Sequence, residues 1–127
     1  KLEFGELTMG VLRIDHFQVA IPWGKVPEAL AFYEGVLDFA RIAKPAELDQ
    51  SGAWLVQGPV NLHLGEEKEF QPSKRAHPAL LVDNIDLLME KAKNGGHPLR
   101  MDEGPTGYKR GSVFDPFGNR IELMQKM

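Results

Sequence analysis

The chain has 127 residues with a formal net charge of -3; 43% are hydrophobic and 26% charged. That is the length and composition of one domain with a buried core, which sets disordered and fibrous classes aside, and without a cluster of Lys and Arg the acidic balance argues against nucleic acid as the main partner. The absence of cysteine excludes disulfides, thiolate metal sites and thiol nucleophiles and fits a reducing, cytoplasmic setting, while no apolar run approaches the ~20 residues of a membrane span.

The first eight residues, KLEFGELT, have neither the basic nor the apolar region of a signal peptide and read as a leader outside the fold, leaving one domain over 9–127. RIDHFQVAI (13–21) alternates as a strand does. VPEALAFYEGVL (26–37) places Val26, Ala29, Leu30, Tyr33 and Leu37 on one helical stripe, with Pro27 tolerable in a first turn. Strands are expected near 39–43, 53–57 and 60–64, completing a βαβββ unit over 13–64. The polar stretch GEEKEFQPSKRA (65–76) is the joint to a second unit over 77–126. That unit opens with the strand HPALLV (77–82), followed by the helix IDLLMEKAKN, capped by Asp83-Asn84 and stopped at Gly95-Gly96. Strands follow near 98–101, 111–115 and 120–125, the last two joined by the turn DPFGN. The fold class is α+β, with two βαβββ modules.

Aligning the modules by their first strands puts His16 opposite His77, and aligning them by their last strands puts His63 opposite Glu122. The spacings agree, since His63 follows His16 by 47 residues and Glu122 follows His77 by 45. Alternation separates Phe17, Val19 and Ile21 from His16, Gln18 and Ala20; it likewise separates Leu62 and Leu64 from His63, and Ile121 and Leu123 from Glu122 and Arg120. The apolar faces can pack under the helices, so the four ligand-type side chains fall on the opposite sheet faces. A single strand histidine is more often structural than a ligand, and a strand Glu is usually solvated. Four such residues at two pairs of repeat-related positions instead suit a divalent metal: zinc, nickel, iron, cobalt or manganese. His97, the fourth histidine, has no repeat partner.

IDHFQVAI, AFYEGVLDF, HPALLVDNID and VFDPFGNRIELMQ, in this order within a βαβββ repeat, resemble the vicinal oxygen chelate superfamily, which includes glyoxalase I, bleomycin- and fosfomycin-resistance proteins and extradiol dioxygenases. The resemblance covers 13–126. It implies a cup-shaped mixed sheet with helices on the outer face, metal ligands at His16, His63, His77 and Glu122, and a homodimer, with the cup in some members completed across the subunit interface.

The resemblance further implies a glyoxalase-type lyase or isomerase acting on a small molecule. The metal acts as a Lewis acid on two vicinal substrate oxygens and stabilises an enediolate-like intermediate, with Glu122 as catalytic base. His63 departs from glyoxalase I, which usually has Glu at the fourth position. Arg120, Arg110 and Tyr108 are candidates to orient an anionic substrate, and Trp54 to line the cup. The alternatives are a ring-cleaving iron enzyme with three protein ligands and a metal-free small-molecule- or antibiotic-binding protein of bleomycin-resistance type.

Overall fold

The structure, a computed structural model, describes residues 10–127; the leader expected at 1–8 lies outside the described residues. The elements run β1 (Phe17–Pro22), α1 (Val26–Tyr33), β2 (Ala40–Ile42), β3 (Ala53–Gln57), β4 (Val60–Glu67), β5 (Ala79–Leu81), α2 (Ile85–Asn94), β6 (Leu99–Asp102), β7 (Tyr108–Phe114) and β8 (Arg120–Lys126). They form two four-stranded mixed sheets, ordered β1-β4-β3-β2 and β5-β8-β7-β6. In each module the first and last strands pair in parallel and the rest antiparallel. Both expected βαβββ units are therefore present.

The core follows the alternation. Ile21, Leu55, Leu62, Val113, Ile121 and Leu123 are fully or almost fully buried on the inner faces of the sheets, joined by Phe32 and Tyr33 of α1 and Ile85, Met89 and Ala92 of α2. Each such side chain contributes roughly 1.5–3 kcal/mol relative to exposure. Helix α2 keeps its expected bounds because Asn84 accepts the Leu87 amide at 3.1 Å as N-cap and Gly96 takes φ +79° just past its end. Helix α1 stops at Tyr33, four residues before the expected end, and the chain leaves it through Asp38 at φ +66°. Strand β4 runs to Glu67, beyond the expected 64, because Gly65, Glu66 and Glu67 continue the ladder opposite Ala20, Ile21 and Pro22. Glu66 fixes this end by accepting the Gly24 amide at 2.7 Å and the Gly52 amide at 2.6 Å.

The modules are joined through α1 and the β7–β8 turn. The Tyr33 hydroxyl donates to Asp115 Oδ2 at 2.8 Å. Asp115 also accepts the Phe117 and Asn119 amides at 2.9 Å each and Asn119 Nδ2 at 2.8 Å. Asn119 Nδ2 in turn donates to Ala20 O in β1 at 2.8 Å. Gly118 sits in this turn at φ +91°, a left-handed conformation that favours glycine. His97 packs edge-on against Phe32, with ring centroids 4.9 Å apart, which gives the histidine without a repeat partner a packing role.

Burial pushes the Tyr33 phenol well above its ordinary value, and the charge and hydrogen bond of Asp115 add to the effect. The folded state therefore holds this proton more tightly than the unfolded chain. The resulting stability is complete below about pH 10 and is lost as pH rises beyond it. One of the two tyrosines is thus expected to yield phenolate absorbance only as the protein unfolds in alkali. A Tyr33→Phe chain should lack that late step.

Candidate metal and substrate site

The strand registers match between modules. In the first, Gln18 stands opposite His63; in the second, Ala79 stands opposite Glu122. His16 and His77 each lie two residues before those partners, so His16/His63 and His77/Glu122 occupy equivalent places at the parallel edges of the two sheets. The equivalence arises because a parallel first-to-last strand pairing with the same stagger puts residues two steps apart on one face.

In the first module His63 lies between two other rings. Its centroid is 4.2 Å from Trp54 with planes 7° apart, and 3.8 Å from His16 with planes 17° apart. Trp54 is placed there by register, directly across from His63 on β3. Burial holds His63 below the ordinary histidine pKa; the charges of His16 and Lys44 add to this and that of Asp15 opposes it. The ring is consequently neutral at neutral pH, with a nitrogen lone pair to offer. His16 Nδ1 lies 3.0 Å from Asp15 Oδ2, and this hydrogen bond holds the exposed Asp15 carboxyl below its usual range. A carboxylate on one nitrogen orients a histidine for ligation through the other.

In the second module Glu122 is buried and surrounded by basic groups. Its Oε1 is 2.9 Å from His77 Nε2, and its Oε2 is 3.3 Å from Arg110 Nη1. Arg120 Nη2 stands 3.6 Å from Oε1. His77 Nδ1 is 2.7 Å from the Arg75 carbonyl, which accepts only, so Nδ1 carries a hydrogen and Nε2 is the nitrogen presented to Glu122. Arg110 is fixed from behind, its Nε donating to Gly104 O at 2.8 Å and Nη2 to Glu103 O at 3.1 Å. Asp102 Oδ2 is 3.5 Å from Arg110 Nη1 and is a buried oxygen without a hydrogen bond.

The donor chemistry fits a divalent transition metal: three imidazoles and one carboxylate. The 2.9 Å between His77 Nε2 and Glu122 Oε1 also matches the roughly 3 Å separating two adjacent ligands that each lie about 2.1 Å from one ion. Among the described residues, however, no group of three or more His, Asp or Glu side chains comes together to hold a metal. The structure brings the four expected ligands together as two pairs.

Of the residues expected to meet substrate, Trp54 lies on the His63 face, and Arg110 and Arg120 flank Glu122. Tyr108 is farther along β7, opposite Lys126. Alternation along the strands did not single out Asp15, Asp102 or Ser112. Ser112 stands directly across from Glu122, a neighbour that only the register reveals.

Residues 13–123 match the family model described as Glyoxalase/Bleomycin resistance protein/Dioxygenase superfamily. A crystal structure described as a putative glyoxalase family protein from Bacillus anthracis is similar at 39% identity and a TM-score of 0.87, over 95% of this chain and 100% of that one. "Glyoxylase I 4" from Arabidopsis thaliana is 28% identical over 116 residues, covering 83% of this chain and 67% of the relative. The fosfomycin resistance protein FosX from Listeria monocytogenes shares the fold at 14% identity, with a TM-score of 0.76 over 93% of this chain and 96% of that one. The chain therefore belongs to the Glyoxalase/Bleomycin resistance protein/Dioxygenase superfamily.

Proposed function

We propose that the protein is a divalent-metal-dependent enzyme of glyoxalase type, acting on a small molecule. In this reading His16 and His63 of one protomer and His77 and Glu122 of a second copy hold the metal in a homodimer. The observation that carries it is the shared register of the two pairs. Two half-sets that do not meet within the described chain are brought together by a two-fold axis, which assembles two equivalent centres per dimer. Val11, Leu12 and Ile14, exposed at 95%, 75% and 82%, together with Leu81 at 75%, supply apolar surface for a second copy to cover.

A divalent cation in this set supplies Lewis acidity toward two neighbouring substrate oxygens. The chain's own residues handle the proton. Arg110, fixed by two backbone carbonyls, holds Glu122 through Oε2, which steadies the carboxylate that would take a proton from carbon beside a carbonyl. The Arg75 carbonyl keeps the His77 ring oriented.

Metal loading has a built-in reporter. An imidazole nitrogen ligates in the plane of its ring, so two nearly parallel rings 3.8 Å apart have to part for both to share one ion. Titrating chelator-treated protein with zinc, nickel, iron, cobalt or manganese is expected to change Trp54 emission, and Trp54→Phe should abolish the change. His63→Ala should weaken metal binding by roughly a hundredfold, since loss of groups that only orient a ligand already costs 10–100-fold. An unchanged affinity would leave a three-ligand centre of His16, His77 and Glu122. A wild-type chain that takes up no metal overturns the reading.

A further inference from the structure

The two arginines beside Glu122 differ in what they have left to offer. Arg110 spends its Nε, Nη1 and Nη2 on Gly104 O, Glu122 Oε2 and Glu103 O. Among the described residues Arg120 makes one hydrogen bond, from Nε to Ser112 Oγ at 2.8 Å. Ser112 is fully buried, so the bond anchors the guanidinium at its root and fixes its plane. The 3.6 Å between Arg120 Nη2 and Glu122 Oε1 is beyond hydrogen-bond range. Nη2 is thus ion-paired with Glu122 without a hydrogen bond, and among the described residues neither Nη1 nor Nη2 donates one.

Arg120 also lines a cavity of about 530 Å³ between β1 and the start of β8. Phe17, Val19, Pro78 and Ile121 give this cavity apolar wall; Gln18 and Ser73 add neutral hydrogen-bonding groups, and His77 borders it. Arg120 is the one arginine or lysine in the lining, and the one carboxylate, Glu67, is exposed to water. The volume lies within the range of small-molecule sites, which combine apolar walls with a few placed polar groups.

We propose that this cavity is the substrate's anion subsite: the Nη1 and Nη2 edge of Arg120 binds a carboxylate or phosphonate group, and the apolar body of the molecule rests on Phe17 and Pro78. A planar guanidinium with two parallel N–H donors is matched to such oxyanions, and these charge-assisted pairs are the stronger hydrogen bonds of proteins. The subsite rests on the metal reading only in that His77 and Glu122 mark where the other end of the substrate reacts. Arg110, whose three nitrogens each hold a protein acceptor, is a positioning residue for Glu122. Both arginines stand beside Glu122, but Arg110 alone is hydrogen-bonded to it, and Arg120 keeps N–H groups for the anion.

The test uses three probes of one shape: benzoate, phenylphosphonate and the neutral benzamide. Each is titrated calorimetrically into metal-free and metal-loaded protein. Wild-type protein is expected to bind at least one anion about tenfold or more tighter than benzamide, and the tighter of the two anions identifies the group the site prefers. Arg120→Gln should remove the preference, with the metal affinity of the variant measured in parallel. In the unmodified protein the Arg120 Nε–H resonance should shift on adding the preferred anion, with that of Arg110 unmoved, a readout that does not depend on the variant folding. Equal binding of anions and benzamide, an undiminished preference in Arg120→Gln, or an unmoved Arg120 resonance overturns the proposal. Failure of the wild-type chain to load metal, with the anion preference intact in metal-free protein, would sink the metal reading and leave the subsite standing.

Discussion

A His16→Ala chain and a Glu122→Ala chain, co-expressed in equal amounts, are expected to recover about a quarter of the wild-type metal capacity, although each alone binds little. The arithmetic follows from two-fold symmetry. Random pairing makes about half of the dimers mixed, and each mixed dimer has one centre with both defects and one with none. Metal content of the purified mixture, compared with either variant alone, reads the result directly. No recovery would mean that each centre is built within one chain, contrary to the separation of the two ligand pairs among the described residues. The catalytic rate of the mixture should rise in proportion to its metal content, because the intact centre also retains Glu122. Glu122→Gln offers a second comparison: it keeps the shape of the side chain but removes the charge that meets Arg110 and His77.

Asp115→Ala is expected to be the most destabilising single change in the joint between the modules, at about 3–5 kcal/mol. It strips the acceptor from the Tyr33 hydroxyl, the Phe117 and Asn119 amides and Asn119 Nδ2, and each donor left without a partner costs about 1–3 kcal/mol when buried and less where water reaches it. For a domain of this size the thermal midpoint should fall by on the order of 10–20 °C. Tyr33→Phe removes only one of these bonds and should cost about 1 kcal/mol, so the double variant should be scarcely worse than Asp115→Ala alone. A fall of only a degree or two for Asp115→Ala would show that the turn is held by its backbone. Because the same turn leads into β8 and ties Asn119 to β1, the variant should also loosen the aim of Glu122 and weaken metal binding.

The sequence carried the repeat because a strand's alternation survives in a single chain. Leu62, Leu64, Ile121 and Leu123 had to face the core, which turned His63 and Glu122 to the other side, and both observed registers agree with that. It carried α2 because Asn84 and Gly96 stop a helix by local chemistry. It carried less of α1, where no comparable stop is written and Tyr33 is held by Asp115, 82 positions away. The leader and the bounds of the domain at its start are untouched by the structure, since residues 1–9 are not described.

By itself the sequence determined the two modules, the faces of their strands and the family, and it put forward four residues as candidate ligands. Each of these depends on local periodicity or on a motif, and neither needs a distant partner. Only the tertiary structure decided that the four residues form two pairs, that Trp54, His63 and His16 stack, and that Arg110 makes three hydrogen bonds where Arg120 makes one. Those outcomes depend on which strands become neighbours and at what stagger. A sequence read along one chain does not contain that information until the sheets have formed.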